Sequence, residues 1–291
     1  MANKLWLGTD AGNEGDWGTA ANWSPSGVPT AADDVILANS SQSVTGGLDQ
    51  SAVALTSITI DQSYTGLIGT ESTFLQVRAS TAVIGQVRSS VGTLTGSKRL
   101  NLDFGSAGAC DIQVYNTASR AQDTNRQPCR IIGSHASHTL TVYSGSVAVS
   151  DDSDDTSQLS SVTNSGSSIT IGEGVTLATL TQASGNIKTQ SSITTVVVKG
   201  GVLNFYDSTS ASTITTCTVQ DTGILNHYAS GTITTLNCNG GSTDLTKSQK
   251  AKTVTNLNLQ AEATLAIDTS VVTLTNDIVL QSSKNLTITA R

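Results

Sequence analysis

One sentence of sequence is written several times between Ile193 and Ile288. Ile193-Thr-Thr-Val-Val-Val-Lys-Gly-Gly is followed by Ile214-Thr-Thr-Cys-Thr-Val-Gln-Asp-Thr-Gly, then Ile233-Thr-Thr-Leu-Asn-Cys-Asn-Gly-Gly, then Val254-Thr-Asn-Leu-Asn-Leu-Gln. The starts lie 21, 19 and 21 residues apart, and Leu259-Gln260 returns 21 residues on as Leu280-Gln281. Self-similarity at such a period marks a solenoid, in which each unit can bury its apolar face only against its neighbours.

The phase within a unit says which solenoid. Val196/Val198, Cys217/Val219, Leu236/Cys238, Leu257/Leu259 and Ile278/Leu280 are apolar pairs two residues apart, and Leu203/Phe205, Leu265/Ile267 and Leu286/Ile288 form a second set. Period two is the signature of strands with one face inward. Gly200-Gly201, Asp221-Thr-Gly223, Asn239-Gly240-Gly241 and Ser282-Ser-Lys-Asn285 supply turns between them. The expected fold is all-β: a parallel β-solenoid (β-helix), taken as right-handed, with coils of 18–21 residues. A leucine-rich repeat of similar period is excluded, because no unit carries Leu-x-x-Leu-x-Leu followed by a helical segment.

Only 13% of the 291 residues are charged, whereas 37% are hydrophobic and held in strict phase, which separates the chain from disordered sequences. Residues 1–77 carry a net −7, residues 78–130 a net +4 and residues 131–291 a net −4. An acidic chain without a basic tail points away from nucleic acid. No apolar run suits a signal peptide or a membrane span, so the expectation is a protein made in a host cytoplasm, with no membrane partner.

Three regions are expected: a cap and docking segment over 1–50, irregular coils over 51–150 with an Arg-rich insertion at 115–130, and regular coils over 151–291. The first 37 residues hold all three tryptophans, Trp6, Trp17 and Trp23, together with Pro29 and Asp34. The first coil of a solenoid is an open strand edge, and bulky residues that plug it are the expected use of these side chains; a sugar-stacking Trp pair is the competing one. Arg78, Arg88, Arg99, Arg120, Arg126 and Arg130 are six of the seven arginines, and they form the candidate partner interface.

The pattern Gly15-Asp-Trp17, Asn22-Trp23-Ser24, Pro29 and Asp33-Asp-Val35, leading into Leu55-x-x-Ile58-x-Ile60 and Gly66-x-Ile68-Gly, resembles the opening of a group of phage-encoded β-helix virion proteins, over roughly the first 70 residues. It is also similar to the opening of bacterial surface β-helix passengers, which normally carry a secretion signal. The phage resemblance implies a structural virion protein, commonly trimeric. The expectation is therefore a capsid decoration (cement) protein located in the virion, a homotrimer bound to the major capsid protein or other virion proteins. Its alternatives are a tailspike that binds or depolymerises polysaccharide, and a bacterial adhesin.

Catalysis is not expected. Hydrolysis of a saccharide needs carboxylates converging on one groove, and Asp207, Asp221, Asp244, Glu262, Asp268 and Asp277 do not recur at the coil period. His135 and His138 are expected on opposite faces of a strand, and the coils are expected to lack stacked aromatic rows. The run Asp151-Asp-Ser-Asp-Asp155 is read as a solvated turn, and no metal or cofactor is expected. Cys217 and Cys238 should lie diagonally on one core face as free thiols; whether Cys110 and Cys129 pair is left open.

Overall fold

A computed structural model describes residues 2–70, 72–86, 99–117, 127–151, 155–282 and 285–291. Contacts divide the chain into two compact units, one of residues 1–149 with 156–159 and the other of 150–155 with 160–291. Both are wound as a parallel β-solenoid, with about 11 turns between them and no α-helix among the described residues.

In the second unit the repeat is visible as vertical columns. Leu180, Val196, Cys217, Leu236 and Leu257 stand one above another through consecutive parallel pairings. Gln182, Val198, Val219, Cys238, Leu259 and Leu280 form the neighbouring column. On the other sheet Ile187, Leu203, Leu225, Thr243, Leu265 and Ile288 do the same. Cys217 and Cys238 are thus diagonal neighbours, and all four cysteines are free and buried. The inward columns are not purely aliphatic: Asn164 and Gln182 are fully buried and joined by a 3.0 Å bond from Asn164 Nδ2 to Gln182 Oε1. On the last coil Ile278, Val279, Leu280 and Ile288 are 39–58% exposed, although Leu280 and Ile288 continue inward columns.

The first unit obeys the same rule with longer, unequal coils. Asn3–Trp6, Asp34–Leu37 and the segments paired to them at 57–60, 81–84, 111–114 and 139–142 stack in parallel register. Ile58, Ala82, Ile112 and Leu140 form one buried column there, and Ile60, Ile84, Val114 and Val142 the next. A second sheet runs through Leu100–Asp103, Cys129–Ile132 and Ser146–Val149.

The opening motif closes this stack. Trp23–Ser24 pairs antiparallel with Asn3–Trp6 and so covers the edge of the first strand. Trp6, Trp17 and Trp23 are at most 2% exposed and meet edge to face, with ring centroids 5.0 and 4.6 Å from Trp23. Trp23 Nε1 donates to Trp17 O at 2.8 Å, while Asn22, fully buried, ties the 10–16 loop by donating to Asn13 O and Asp16 O and accepting from Asp10 N. Pro29 is buried, and Asp34 accepts a 2.6 Å bond from Ser57 Oγ of the next coil. Buried rings have no face to offer a sugar, so these tryptophans act as a plug.

Trp23→Ala removes the ring that both other indoles contact and should destabilise the first unit by about 3–5 kcal/mol. Thermal unfolding followed by circular dichroism measures this; an unchanged transition would mean that the cap does not hold the stack.

Candidate functional site

The outward rows of the second unit are occupied with one another. Asn226 Nδ2 donates to Asn204 Oδ1 and Asn204 Nδ2 to Asn186 Oδ1, each at 3.0 Å. Asn258, Asn237 and Thr218 form a second such line at 2.8 and 3.2 Å. Tyr206 and Tyr228 stack with centroids 4.5 Å apart and planes 7° apart, and Tyr115 and Tyr143 of the first unit stack at 4.7 Å and 17°. The expectation that the coils lack aromatic rows is therefore wrong: in-register stacking puts like rings over like rings even when they are few. Each stack covers one face of each ring, and Tyr143 stays 42% exposed. Tyr228 covers one side of Tyr206, and Lys188 Nζ lies 5.3 Å from its ring. Lys247 pairs with Asp244 and Lys250 with Asp207, and the buried Lys252 ammonium donates to Leu245 O and Ser248 Oγ at 3.2 Å.

The first unit contains the contrasting place. The strand Asp49–Asp61 pairs with Leu75–Gln86, but between Gln50 and Ala54 the register shifts and residues 51–53 bulge out of the ladder. Bulges of this sort re-aim side chains and open a sheet locally. On the far side, the chain leaves Leu100–Asp103 through a turn at 104–108, entered by Gly105 at φ +61°. Between bulge and turn lies a cleft of about 320 Å³, floored by Gln76, Val77 and Arg78 and walled by Ser51, Ala52, Asp103, Phe104, Ser106 and Ala107.

Arg78 is the chemical centre of this cleft. It is half-buried, its Nε reaches to within 3.5 Å of the space beside Gly108, and it makes no hydrogen bond or ion pair with the described residues. Asp103 stands at one end. Burial raises its carboxyl above the ordinary Asp range, against the pull of a 2.8 Å bond from Gly105 N–H and of nearby His138. Asp49 and Gln76 share its column, because Asp49 pairs with Gln76 and Gln76 with Asp103, at intervals of 27 residues. Asp49 is exposed and held below the ordinary range by the Ser51 hydroxyl, at 2.6 Å, and the Ser51 N–H, at 3.1 Å. Two carboxyls shifted in opposite directions thus stand two coils apart, roughly 10 Å by strand spacing. A search at the 20-residue period passes over them, since these coils are longer.

The arginines read as an interface are dispersed by the structure. Arg130 is 1% exposed, its guanidinium 4.8 Å from the Phe74 ring, so it is a core residue and no partner can reach it. The sequence reads it as the end of an insertion, but it lies in the strand Cys129–Ile132, between Asn101 and Ala148 in adjacent strands, and that row is itself covered. Arg99 is half-buried, and Arg88, Arg120 and Arg126 lie outside the described residues, as do most of the 115–130 insertion and Asp152 and Asp154 of the acidic run. Of the six, Arg78 alone is shown lining a cleft.

The histidines are structural. His135 and His138 flank a turn closed by a 2.9 Å bond from His138 N to His135 O, and are not on a strand as expected, because the chain turns before Thr139–Val142 begins. Cys110 N donates to His138 Nδ1 at 2.9 Å, and His138 Nε2 lies 3.0 Å from Gly105 O; burial lowers its pKa. It thereby pins both ends of the 105–110 turn that walls the cleft. His227 is buried against Phe205, with centroids 5.1 Å apart, and burial depresses it to about 4. No group of three His, Cys, Asp or Glu side chains suited to a metal ion occurs among the described residues. Comparison with protein-family models, curated proteins and solved structures finds no match to this chain.

A carboxyl raised in the fold binds its proton more tightly there than in the unfolded chain. Asp103 therefore favours the fold below the ordinary Asp pKa of about 3.9, and this contribution is lost as pH rises through the folded value. Asp103→Asn keeps the acceptor for Gly105 N–H and should raise the melting temperature at pH 7, with the advantage vanishing toward pH 3. A melting series across that range checks the sign; a variant less stable at pH 7 would contradict it.

Proposed function

We propose that this chain is a structural virion protein, a capsid decoration (cement) protein that works by rigid adhesion, as a homotrimer bound to capsid protein. The observation that carries the reading is the self-sufficiency of the outward coil rows. Amides bond to amides, Tyr206 stacks on Tyr228, and Lys247 and Lys250 are ion-paired, which supports reading these surfaces as scaffold. Parallel strands hydrogen-bonded through successive coils resist bending and local opening, which is what a shell under internal pressure requires of a clamp. The resemblance of the opening motif to phage virion proteins agrees with this role, and recognition then falls to the irregular first unit.

A second reading is favoured by one feature. The Asp49–Gln76–Asp103 column sets an acid disposed to hold its proton and an ionised carboxylate at a separation near that of inverting glycosidases, about 6.5–9.5 Å between carboxyl groups. A tailspike that cuts polysaccharide would use such a pair. Against it, Asp49 is held by Ser51 at the rim and does not line the cleft.

Copy number separates the two. Quantitative mass spectrometry of purified particles from a phage encoding this chain should find it in numbers comparable to the capsid subunits, and the isolated protein should co-sediment with particles stripped of it. A few copies per particle, or release of reducing ends from capsular polysaccharide by the isolated protein, would replace decoration with the tailspike reading.

A further inference from the structure

We infer that the Arg78 cleft is a binding site for an aliphatic carboxylate, the side chain of a glutamate or aspartate presented by a protein partner. The inference depends on the cleft alone and holds whether or not the chain is a virion component. A guanidinium is planar and carries a fork of donors matched to a carboxylate, and one withdrawn from bulk water without a partner is an incomplete interaction. Arg78 is in that state: half-buried, without a hydrogen bond or ion pair to the described residues, and on the floor of a cleft. Lys188, Lys247, Lys250 and Lys252 each have an internal aromatic, carboxylate or carbonyl partner, whereas Arg78 on its cleft floor has none among the described residues.

The lining narrows the rest of the ligand. Gln76 and Ser106 offer an amide and a hydroxyl in the same cleft as the guanidinium, while the exposed Ala52 and Ala107 offer short apolar surface. That suits a carboxylate on a methylene stem. A sugar acid would want an exposed ring face to stack on, and Phe104, the one aromatic side chain of the lining, is 2% exposed. A phosphate would bring more charge than one arginine answers, with Asp103 adding repulsion. The cleft is also built in: its walls are the register shift at 51–53 and a turn held at both ends by His138. Asp103, at one end of the cleft, opposes an anion whenever it is ionised.

The test is a titration of the ¹⁵N-labelled full chain with N-acetyl-glutamate amide, following the Arg78 Nε–Hε signal and the backbone amides of Gly105 and Ser106. Saturable shifts at these signals are expected, with no response to N-acetyl-glutamine amide. Arg78→Gln should weaken binding by about tenfold or more, Arg78→Lys by less, and Asp103→Asn should strengthen it. Absence of saturable shifts would overturn the site, as would an equal response to the glutamine analogue. Tighter binding of glucuronate would make it a sugar-acid site, and equal binding of sulfate a nonspecific cation; either result overturns the proposal. Should Arg78→Gln lose its dispersed amide spectrum, Gln76→Ala and Arg78→Lys carry the comparison.

Discussion

Parallel strands in register place each residue directly over its counterpart at a spacing of roughly 4.8 Å, and almost every feature of this molecule descends from that geometry. A column is one position sampled many times, so a side chain must be compatible with the copy above and below it. Aliphatic columns satisfy this by contact, giving the core from Leu180 to Leu257. Asparagine satisfies it because its amide is both donor and acceptor, which lets Asn186, Asn204 and Asn226 bond in line. Tyrosine satisfies it by stacking. A lone carboxylate does not, and two acids of the second unit find other partners: Asp207 meets Lys250 and Ser230, and Asp244 meets Lys247 and Thr246.

The same rule explains where the molecule is unlike itself. The first strand has no coil above it, so its edge is met by an antiparallel pair and three indoles. The register shift at 51–53 breaks a ladder and leaves an arginine with no neighbour of its own kind to answer it. Where stacking is regular, asparagines bond and tyrosines stack along their own rows; where the ladder shifts at 51–53, Arg78 lines a cleft.

The sequence carried the fold wherever coils are short and equal. The apolar pairs from Val196 to Leu259 all fall in inward columns, and the diagonal relation of Cys217 and Cys238 follows from the repeat starts. The site was illegible for two physical reasons. Columns in the first unit join residues 27 apart across coils whose corners differ in length, so Asp49, Gln76 and Asp103 show no common phase with the later repeat. Periodicity, moreover, gives the direction of a side chain but not what covers it. Arg78 and Arg130 look alike in sequence, yet one lines a cleft and the other lies under Phe74.

Coils with 19 residues between matching positions in one unit and 27 in the other each keep parallel register, because extra residues are taken up at corners and at bulges such as 51–53. Insertion inside a strand turns every following side chain to the wrong face, whereas insertion at a corner leaves all columns intact. The fold is thus tolerant of length at corners and bulges and intolerant within the paired segments. A lineage of such chains can gain a loop, or duplicate a whole coil, without repacking its interior. Novelty in these molecules accumulates at corners, while the columns record what has been kept.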